Sequence, residues 1–350
     1  MADVQIPPLL DALLRTAAPS GREGPVADLL TASLPDGVEV SRDRIGSLLM
    51  RLAGRTAKRP RLAIVGHMDE VGMMVTGFDE DGRVAFGPGG GLTDEVLIGQ
   101  RVAIRTATGD VPGVIGLEPN WYPNRHDETP APLKIQDMRI DLGAADAAEA
   151  ATLVQGGDAA VIDVAPIHLA HGRIASRAID NRFGMYVATE VIRRLAKDGG
   201  GPTDVVGIGT VQEETAFAGA HTVANAAKPD LAVVVDADYA RPAPREDGWP
   251  TDGLGAGALL FRGTVVDDDM AKRLIAIAER EGIRHSVRSY PGSTLTDADV
   301  LAMTRTGVPT AVMSVALRYM HSPVEVAQLD DIEQVVRLLV AFAETLDSES

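Results

Sequence analysis

The sequence predicts an α/β protein in which a helix-covered mixed sheet is interrupted by a small inserted β domain. Over 165–350, apolar runs alternate with helical patterns, which is typical of a sheet covered by helices. The stretch 70–164 is rich in Thr, Val, Gly and Asp with closely spaced turn signals, which indicates the short strands of a barrel or sandwich. The length of 350 residues agrees, because roughly 150 residues per domain favours two domains.

The composition excludes several classes of function. The 33 basic against 50 acidic residues give a net charge of −17, so phosphate backbones and anionic membranes are poor partners. The chain contains 0 cysteines, which rules out disulfides, thiolate metal sites and thiol nucleophiles. Since no apolar stretch reaches about 18 residues and the N-terminus does not resemble a signal peptide, we expect a cytoplasmic protein with no membrane partner.

The elements before the insertion follow from periodicity and turn signals. Apolar residues recur at helical spacing over Pro8–Ala18, and a turn then leads into a second helix at Gly24–Leu34. Alternation of polar and apolar residues over Gly37–Arg51 predicts a hairpin. The apolar run Arg61–Gly66 predicts a buried strand that ends at His67.

Within the insertion, only Ala144–Val154 has a helical pattern. After the insertion, apolar runs alternate with helical patterns, as expected for strands joined by helices. The predicted strands are Asp204–Val211, Leu231–Val235 and Val308–Val315. The predicted helices are Arg182–Lys197, Thr215–Ala227, Met270–Glu281 and Asp330–Leu346.

Histidine and carboxylate side chains stand at or beside the ends of the apolar runs. They are found at His67-Met68-Asp69, Asp180-Asn181, Glu213-Glu214, Asp236 and His321. In open α/β sheets, ligands bind beyond the carboxyl ends of the strands. Because several of these residues directly follow predicted strands, we expect them to meet at one edge of the sheet.

Metal chemistry accounts for this set of residues. Imidazole and carboxylate groups suit zinc or a similar divalent ion, and two such ions about 3.5–4 Å apart need a bridging carboxylate. Two histidines and three of the carboxylates would supply the ligands, which leaves one carboxylate as a general base. Asp69 stands two residues after His67, where it can accept the second imidazole N–H.

Each of these residues taken alone has a simpler explanation. A lone histidine at a strand end is usually a satisfied polar residue, and Asp180 suits a helix cap. Glu213 and Glu214 suit the solvated first turn of a helix. Only the convergence of all these groups on one edge favours a metal centre.

The chain resembles the M42 metallo-aminopeptidases, which form tetrahedral cages and include glutamyl and deblocking aminopeptidases. The resemblance covers nearly the whole chain. Its main carriers are GHMDEVGMMV (66–75), GVIG (113–116), IDLGA (140–144), SRAIDNRFG (176–184), VQEETAFAGA (211–220), VVVDAD (233–238), TDA (296–298) and RYMHSPVEV (318–326). The order of these motifs is far more specific than any one of them.

The resemblance implies two metal sites that share Asp180. His67 and Asp236 would complete one site, and Glu214 with His321 the other. Two divalent ions per subunit are therefore expected, with zinc first and cobalt or manganese as alternatives, since such donor sets bind several metals.

The resemblance also implies roles for the remaining residues and for the domains. Glu213 would be the general base, Asp69 would orient His67, and the Asp180–Asn181 peptide bond would be cis. A phosphorylase/hydrolase-like catalytic domain would comprise 1–69 and 165–350. The insertion 70–164 would mediate dimerisation, and dimers would assemble into a dodecamer. Short peptides, cleaved at the N-terminus, would be the substrates.

Three other functions compete with this interpretation. Related two-metal amidohydrolases, which remove acyl groups or act as carboxypeptidases, usually carry their extra domain between the fourth ligand and the last histidine, whereas here the longer gap lies between His67 and Asp180. A glycoside hydrolase would leave the histidines unexplained, and aromatic residues make up only 4% of the chain, which offers few platforms for sugars. A catalytically dead scaffold would be expected to lose a ligand or the base, and none is missing.

One segment departs from the family pattern. After GVIG, relatives often carry a proline pair followed by histidine, whereas this chain has LEPNWYPNRH over 117–126. In such cages a neighbouring subunit's loop can line the active site. The departure therefore bears on substrate preference and assembly, and not on the metal chemistry.

Overall fold

The computed structural model describes residues 5–56, 60–117, 132–240 and 253–346. The strands in this part of the chain are β1 (Val38–Arg42), β2 (Leu48–Leu52), β3 (Leu62–His67), β4 (Gly72–Phe78), β5 (Val84–Gly89), β6 (Arg101–Thr106), β7 (Gly109–Leu117), β8 (Met138–Asp141), β9 (Ala159–Ile162), β10 (Ile167–Leu169), β11 (Arg173–Ser176), β12 (Val205–Thr210), β13 (Leu231–Tyr239), β14 (Ala258–Gly263), β15 (His285–Tyr290), β16 (Thr310–Leu317) and β17 (Glu325–Gln328). The α-helices there are α1 (Pro8–Arg15), α2 (Gly24–Ser33), α3 (Ala147–Leu153), α4 (Ile179–Lys197), α5 (Glu213–Ala216), α6 (Ala218–Ala227), α7 (Asp268–Arg280), α8 (Ala298–Leu301) and α9 (Leu329–Thr345).

A mixed sheet forms the larger part of the molecule. Its strand order is β1-β2-β12-β3-β13-β16-β14-β15. The four central strands, β12, β3, β13 and β16, run parallel to one another, and their carboxyl ends therefore meet at one edge. The hairpin β1–β2 adds antiparallel strands on one side, and β14 pairs antiparallel with β16 on the other. This arrangement brings His67 and the end of β13 together.

The central strands are covered on both faces. β3, β12 and β16 are buried along their whole length, as expected for apolar runs in a parallel sheet. α4 and α9 pack against each other and against these strands, and α6 and α8 form a second pair that packs on them. The predicted helix-covered mixed sheet is thus confirmed. Among the described residues, no helix is long and apolar enough to cross a membrane.

The insertion folds into a closed antiparallel barrel. Its strand order is β4-β5-β8-β7-β6-β9, with β9 pairing back to β4. Alternate residues of β4 and β6 point inward and join a hydrophobic core separate from that of the large sheet. The barrel-like insertion predicted from short strands and turn signals is therefore confirmed. The unusual 117–126 segment lies, after Leu117, outside the described residues.

The structure differs from the sequence-based elements in several places. The helix predicted over Thr215–Ala227 is two helices, because Phe217 adopts a left-handed conformation (φ 50°) between them. The strand β14 and the edge strand β15 beside it were not predicted. β15 is only partly buried and its sequence, HSVRSY, lacks a clear apolar run, so periodicity carries little signal there.

A buried ion cluster joins the insertion to the catalytic part. Glu70, which directly precedes the barrel, is 2% exposed. Its Oε1 accepts hydrogen bonds from the Ala18 amide and the Arg182 guanidinium, each at 2.9 Å, and its Oε2 accepts one from Arg177. The two arginines flank the start of α4. Glu70 therefore fixes the beginning of this helix against the first strand of the insertion.

We predict that Glu70→Gln strongly destabilises the fold. Removing one partner of a buried ion cluster leaves uncompensated charge and typically costs about 3–5 kcal/mol. The free energy of unfolding, measured in urea at constant slope, should fall by this amount. The matched control is Glu39→Gln, which removes a surface ion pair with Arg51 and should cost less than about 1 kcal/mol. Equal effects of the two substitutions would contradict the assignment.

Candidate active site

The sequence-predicted site residues all lie around one cavity at the carboxyl edge of the sheet. The cavity has a volume of about 210 Å³. Six of the residues line it: His67, Asp180, Glu213, Glu214, Asp236 and His321. The seventh, Asp69, is fully buried behind His67. The parallel strands explain the convergence, since His67 ends β3, Glu213 and Glu214 follow β12, and Asp236 lies near the end of β13.

Asp180 lies at the centre of the site. Its Oδ1 is 3.1 Å from Nε2 of His67, and its Oδ2 is 3.6 Å from Nε2 of His321. The residue precedes the regular part of α4, where Asp180 and Asn181 depart from helical dihedral angles, and the peptide bond between them is cis, as the resemblance implies. One carboxylate thus faces two imidazoles on opposite sides, which is the geometry of a bridging ligand.

Two groups of donor atoms surround this carboxylate. In each group the donor atoms lie within 4.8 Å of one another, close enough to surround a single ion. One group comprises His67, Asp180 and Asp236. The other comprises Asp180, Glu214 and His321. Imidazole nitrogen with carboxylate oxygen is the donor set of zinc and similar divalent ions.

The two histidines are oriented by hydrogen bonds at their other ring nitrogen. Nδ1 of His67 lies 3.2 Å from the carbonyl oxygen of Asp69 and 3.4 Å from its Oδ1. Nδ1 of His321 lies 3.1 Å from the carbonyl oxygen of Gly91, which belongs to the insertion. A carbonyl oxygen can only accept, so in both rings Nδ1 carries a proton and Nε2 is the nitrogen that faces the carboxylates of the site.

Asp69 also holds the segment that carries Glu213 and Glu214. Its Oδ1 accepts the Glu213 amide at 3.1 Å, and its Oδ2 accepts the Glu214 amide at 3.2 Å. The hydroxyl of Ser20 donates to the same Oδ2 at 2.5 Å. Asp69 therefore positions one histidine and both glutamates, whereas the sequence predicted only its contact with His67.

The site contains more buried carboxylates than imidazoles can balance. Burial, with further repulsion from Asp236, raises the pKa of Glu213 to about 10, although the nearby His67 opposes this rise. Burial likewise raises the pKa of Asp236 well above its usual value. Burial favours a raised pKa for Asp180 too, but hydrogen bonds with His321 and His67 outweigh it and lower the pKa.

Burial acts in the opposite direction on the pKa of a histidine, because its charged form is the cation. Burial acts to lower the pKa of His321, but hydrogen bonds to Asp180 and Glu214 outweigh it and raise the pKa to about 11. Oε1 of Glu214 is buried and accepts no hydrogen bond from any described residue. A site with surplus buried carboxyl groups, whose ionised forms lack positive charge nearby, and with an unpartnered carboxylate oxygen fits bound cations, because they supply the missing positive charge.

Comparison with known proteins identifies the family. The family model for M42 glutamyl aminopeptidase matches residues 46–338. The chain belongs to the M42 peptidase family. It is 32% identical over 345 residues to the glutamyl aminopeptidase of Lactococcus lactis, covering 97% of this chain and 96% of the relative. The M42 chain is thereby a metallo-aminopeptidase, which confirms the resemblance and the enzyme class predicted from the motifs.

Solved structures share the fold of this M42 chain. A TET aminopeptidase from the marine sediment archaeon Thaumarchaeota archaeon SCGC AB-539-E09 superimposes with a TM-score of 0.91 at 32% identity, over 97% of both chains. The Pyrococcus horikoshii TET1 peptidase, which can assemble into a tetrahedron or a large octahedral shell, matches with a TM-score of 0.84 at 30% identity, over 97% of this chain and 99% of that one.

Sequence reasoning missed one buried carboxylate of the M42 site. Glu325 is 1% exposed, and its two oxygens accept the backbone amides of Asp180 at 3.1 Å and of His321 at 2.9 Å. It therefore holds together two residues of the donor groups that lie 141 positions apart (321 − 180). Its position within the RYMHSPVEV motif was the available signal, but the motif does not reveal that its carboxylate faces Asp180.

A second missed carboxylate lies beside the site. Asp297 is 1% exposed and accepts a hydrogen bond from the hydroxyl of Thr210, the last residue of β12, at 2.5 Å. Burial raises its pKa to about 6. Asp297 belongs to the TDA motif, but its position beside the site depends on the packing of α8 against β13 and β16.

We predict that Gly91→Ala weakens metal binding from a distance. An added Cβ would lie 2.7 Å from Nδ1 of His321 and 3.1 Å from its Cε1, so the imidazole would have to move. Disturbing the hydrogen-bond partner of a metal-binding histidine typically lowers metal affinity by roughly 10- to 100-fold. Zinc affinity would be measured by calorimetric titration of the metal-free protein.

The matched control for this substitution is Gly77→Ala, in the same barrel. No atom lies within 4 Å of the Cβ added there, so zinc affinity should be unchanged. Unaltered zinc affinity in Gly91→Ala would show that the insertion does not position His321.

Proposed function

We propose that the enzyme removes N-terminal residues from short peptides by means of two divalent cations bound on either side of Asp180. The single observation that carries this proposal is the shared carboxylate, whose two oxygens face two different histidines. In the first cation site, His67 and Asp236 would join Asp180. In the second, Glu214 and His321 would join it.

The native metal would be zinc, with cobalt or manganese as alternatives, because this donor set accepts all three. When bound, the cations supply Lewis-acid polarisation of the scissile carbonyl and acidify a water molecule. The chain contributes the geometry. Asp69 and the Gly91 carbonyl would hold the two imidazoles in the tautomer that leaves Nε2 free to bind a cation. Glu325 binds the backbone amides of Asp180 and His321 and so fixes these two residues relative to each other.

Glu213 would act as the general base. Its Oε2 lies 3.8 Å from Nε2 of His67, beside both donor groups but in neither of them. Burial raises the pKa of Glu213 in the metal-free protein, and nearby cations would favour the ionised form. The carboxylate would then take a proton from the attacking water and later deliver it to the leaving amine.

We further propose that the insertion over 70–164 mediates dimerisation and that dimers build a dodecamer. The assembly of the Pyrococcus horikoshii TET1 peptidase supports this. Exposed apolar side chains on the barrel strands also support it, since Met74 is 44% and Val114 50% exposed. Sedimentation velocity should give a mass close to twelve subunits, and a stable monomer would contradict the proposal.

We predict that Glu213→Gln retains bound metal but loses turnover. Replacing the carboxylate removes the general base, whose contribution is typically about 10²–10⁴-fold. Hydrolysis of aminoacyl-anilides gives kcat, and elemental analysis of the same preparation gives metal content. The matched control is the neighbouring Glu214→Gln, which should instead lose metal because Glu214 belongs to a donor group. A fully active Glu213→Gln enzyme would contradict the mechanism.

The alternative is an amidohydrolase or deacylase that acts on blocked or non-peptide amides. The two functions differ in whether the substrate must carry a free amine. Metal-stripped enzyme would be assayed on free and N-acetylated aminoacyl-anilides after zinc, cobalt or manganese is restored. Cleavage of the free-amine substrates only is the expected outcome, and cleavage of the acetylated ones would favour the alternative.

A further inference from the structure

Residues 212–214, the general-base segment, present backbone amides that need acceptors from elsewhere in the fold. α5 is a single turn, and Gln212 before it adopts a left-handed conformation (φ 57°). The first amides of a helix have no acceptor within that helix. Because amides withdrawn from water are costly to leave unpaired, those of Gln212, Glu213 and Glu214 require partners from other elements.

Two carboxylates accept these amides. Asp69 accepts those of Glu213 and Glu214. Glu23 accepts the first of them, since the Gln212 amide donates to its Oε1 at 3.0 Å across 189 positions of sequence. Glu23 directly precedes α2 and is 5% exposed. It is therefore a buried carboxylate, unused so far in the mechanism, that contacts the segment carrying the general base.

Glu23 is held by the turn that leads into α2. Its Oε1 also accepts the Gly21 amide at 2.7 Å. Gly21 has a φ of 80°, a conformation that glycine adopts without a steric penalty. In the same turn, the hydroxyl of Ser20 donates to Oδ2 of Asp69 at 2.5 Å. One turn, residues 20–23, thus supplies Glu23 and anchors Asp69.

This turn is attached to the chain just after the strand end that carries His67. The Glu70 amide donates to the Ala18 carbonyl oxygen at 3.2 Å, and the Ala18 amide donates to Oε1 of Glu70 at 2.9 Å. Pro19 and Glu70 also form an isolated parallel bridge. Since Ala18 and Glu70 are both buried, packed backbone determines where Glu23 lies relative to Asp69.

We propose that Glu23 is a positioning residue, which fixes the backbone from which the general base Glu213 extends. Glu23 is not among the described residues that line the cavity or form the donor groups, so it acts through the Gln212 amide. A displacement of about 1 Å in a reacting group can lower turnover by about 100-fold. The inference rests on the proposed role of Glu213 as general base.

The contact requires an oxygen acceptor and not a negative charge. Burial, with further repulsion from Asp69, raises the pKa of Glu23, although hydrogen bonds from the Gly21 and Gln212 amides oppose the rise. Both amides donate to the same oxygen, Oε1. Glutamine keeps that acceptor, whereas methionine, of similar length, removes it. The substitutions Glu23→Gln and Glu23→Met therefore separate the hydrogen bonds from the volume of the side chain.

The test measures kcat, KM and bound metal in both variants, with aminoacyl-anilides as substrates. Glu23→Met should lower kcat by about 10- to 100-fold. Its KM and metal content should stay close to those of the wild type, because Asp69 still holds the Glu213 and Glu214 amides. Glu23→Gln should keep kcat within about threefold. Equal losses in the two variants, or full activity of a folded Glu23→Met, would overturn the inference.

A double variant separates positioning from general damage. In a Glu213→Gln background the general base is absent, so Glu23→Met has nothing left to position. The residual kcat should then change by less than about threefold, because two residues that act as one unit are not additive. A full additive loss would show that Glu23 supports the fold as a whole and not the base, which contradicts the proposal.

The matched control is Asp204→Leu, at the other end of β12 from the cavity. Asp204 also accepts a backbone amide, that of Gly54 at 2.9 Å, and directly precedes the strand. This variant should lose stability in urea while the folded enzyme keeps its kcat. If Glu23→Met does not fold, Glu23→Asp decides, since it keeps the charge but withdraws the oxygen. Its kcat should be at least about fivefold below that of Glu23→Gln.

The possible results distinguish the two proposals. A fully active Glu213→Gln enzyme overturns the proposed mechanism, and the positioning role of Glu23 with it. Loss of turnover in Glu213→Gln beside an unaffected Glu23→Met overturns only the positioning role and leaves the general base in place.

Discussion

The site depends on one buried carboxylate that faces two histidines. Asp180 brings the two donor groups together, so its position determines whether both can form. Three constraints hold it there. Glu325 accepts its amide, Asn181 donates to the Val235 carbonyl oxygen at 2.8 Å and ties the segment to β13, and Gly184 donates to Asn181 at 3.0 Å. The start of α4 is thereby attached to the strand that carries Asp236.

The inserted barrel contributes to the geometry of the candidate active site. It begins directly after Asp69 and Glu70, and the Gly91 carbonyl oxygen reaches back to orient His321. Glu70 in turn anchors the start of α4 through Arg177 and Arg182. Because one link is a buried ion cluster and the other ends on His321, the position of the barrel relative to the sheet affects the geometry of the donor groups. The insertion and the catalytic part are therefore mechanically coupled.

Much of the fold could be predicted because its signals are local. Long apolar runs identified β3 and β12, and turn signals at short intervals identified the barrel. The prediction failed where tertiary contacts override local pattern. The left-handed turn at Phe217 splits one predicted helix, and β15 exists only because it pairs with β14. This partly buried edge strand has no apolar period of its own, so the sequence carried no signal for it.

The sequence by itself determined the fold class, the family and the residues that surround Asp180. These follow from the residue types at the strand ends and from the order of the motifs along the chain, and both can be identified without a structure. Tertiary structure alone decided what supports them. The contacts of Glu325 with Asp180 and of Glu23 with Gln212 join elements distant in sequence. A carboxylate reveals its partner only after the chain has folded, since hydrogen bonding depends on distance in space and not on spacing along the chain.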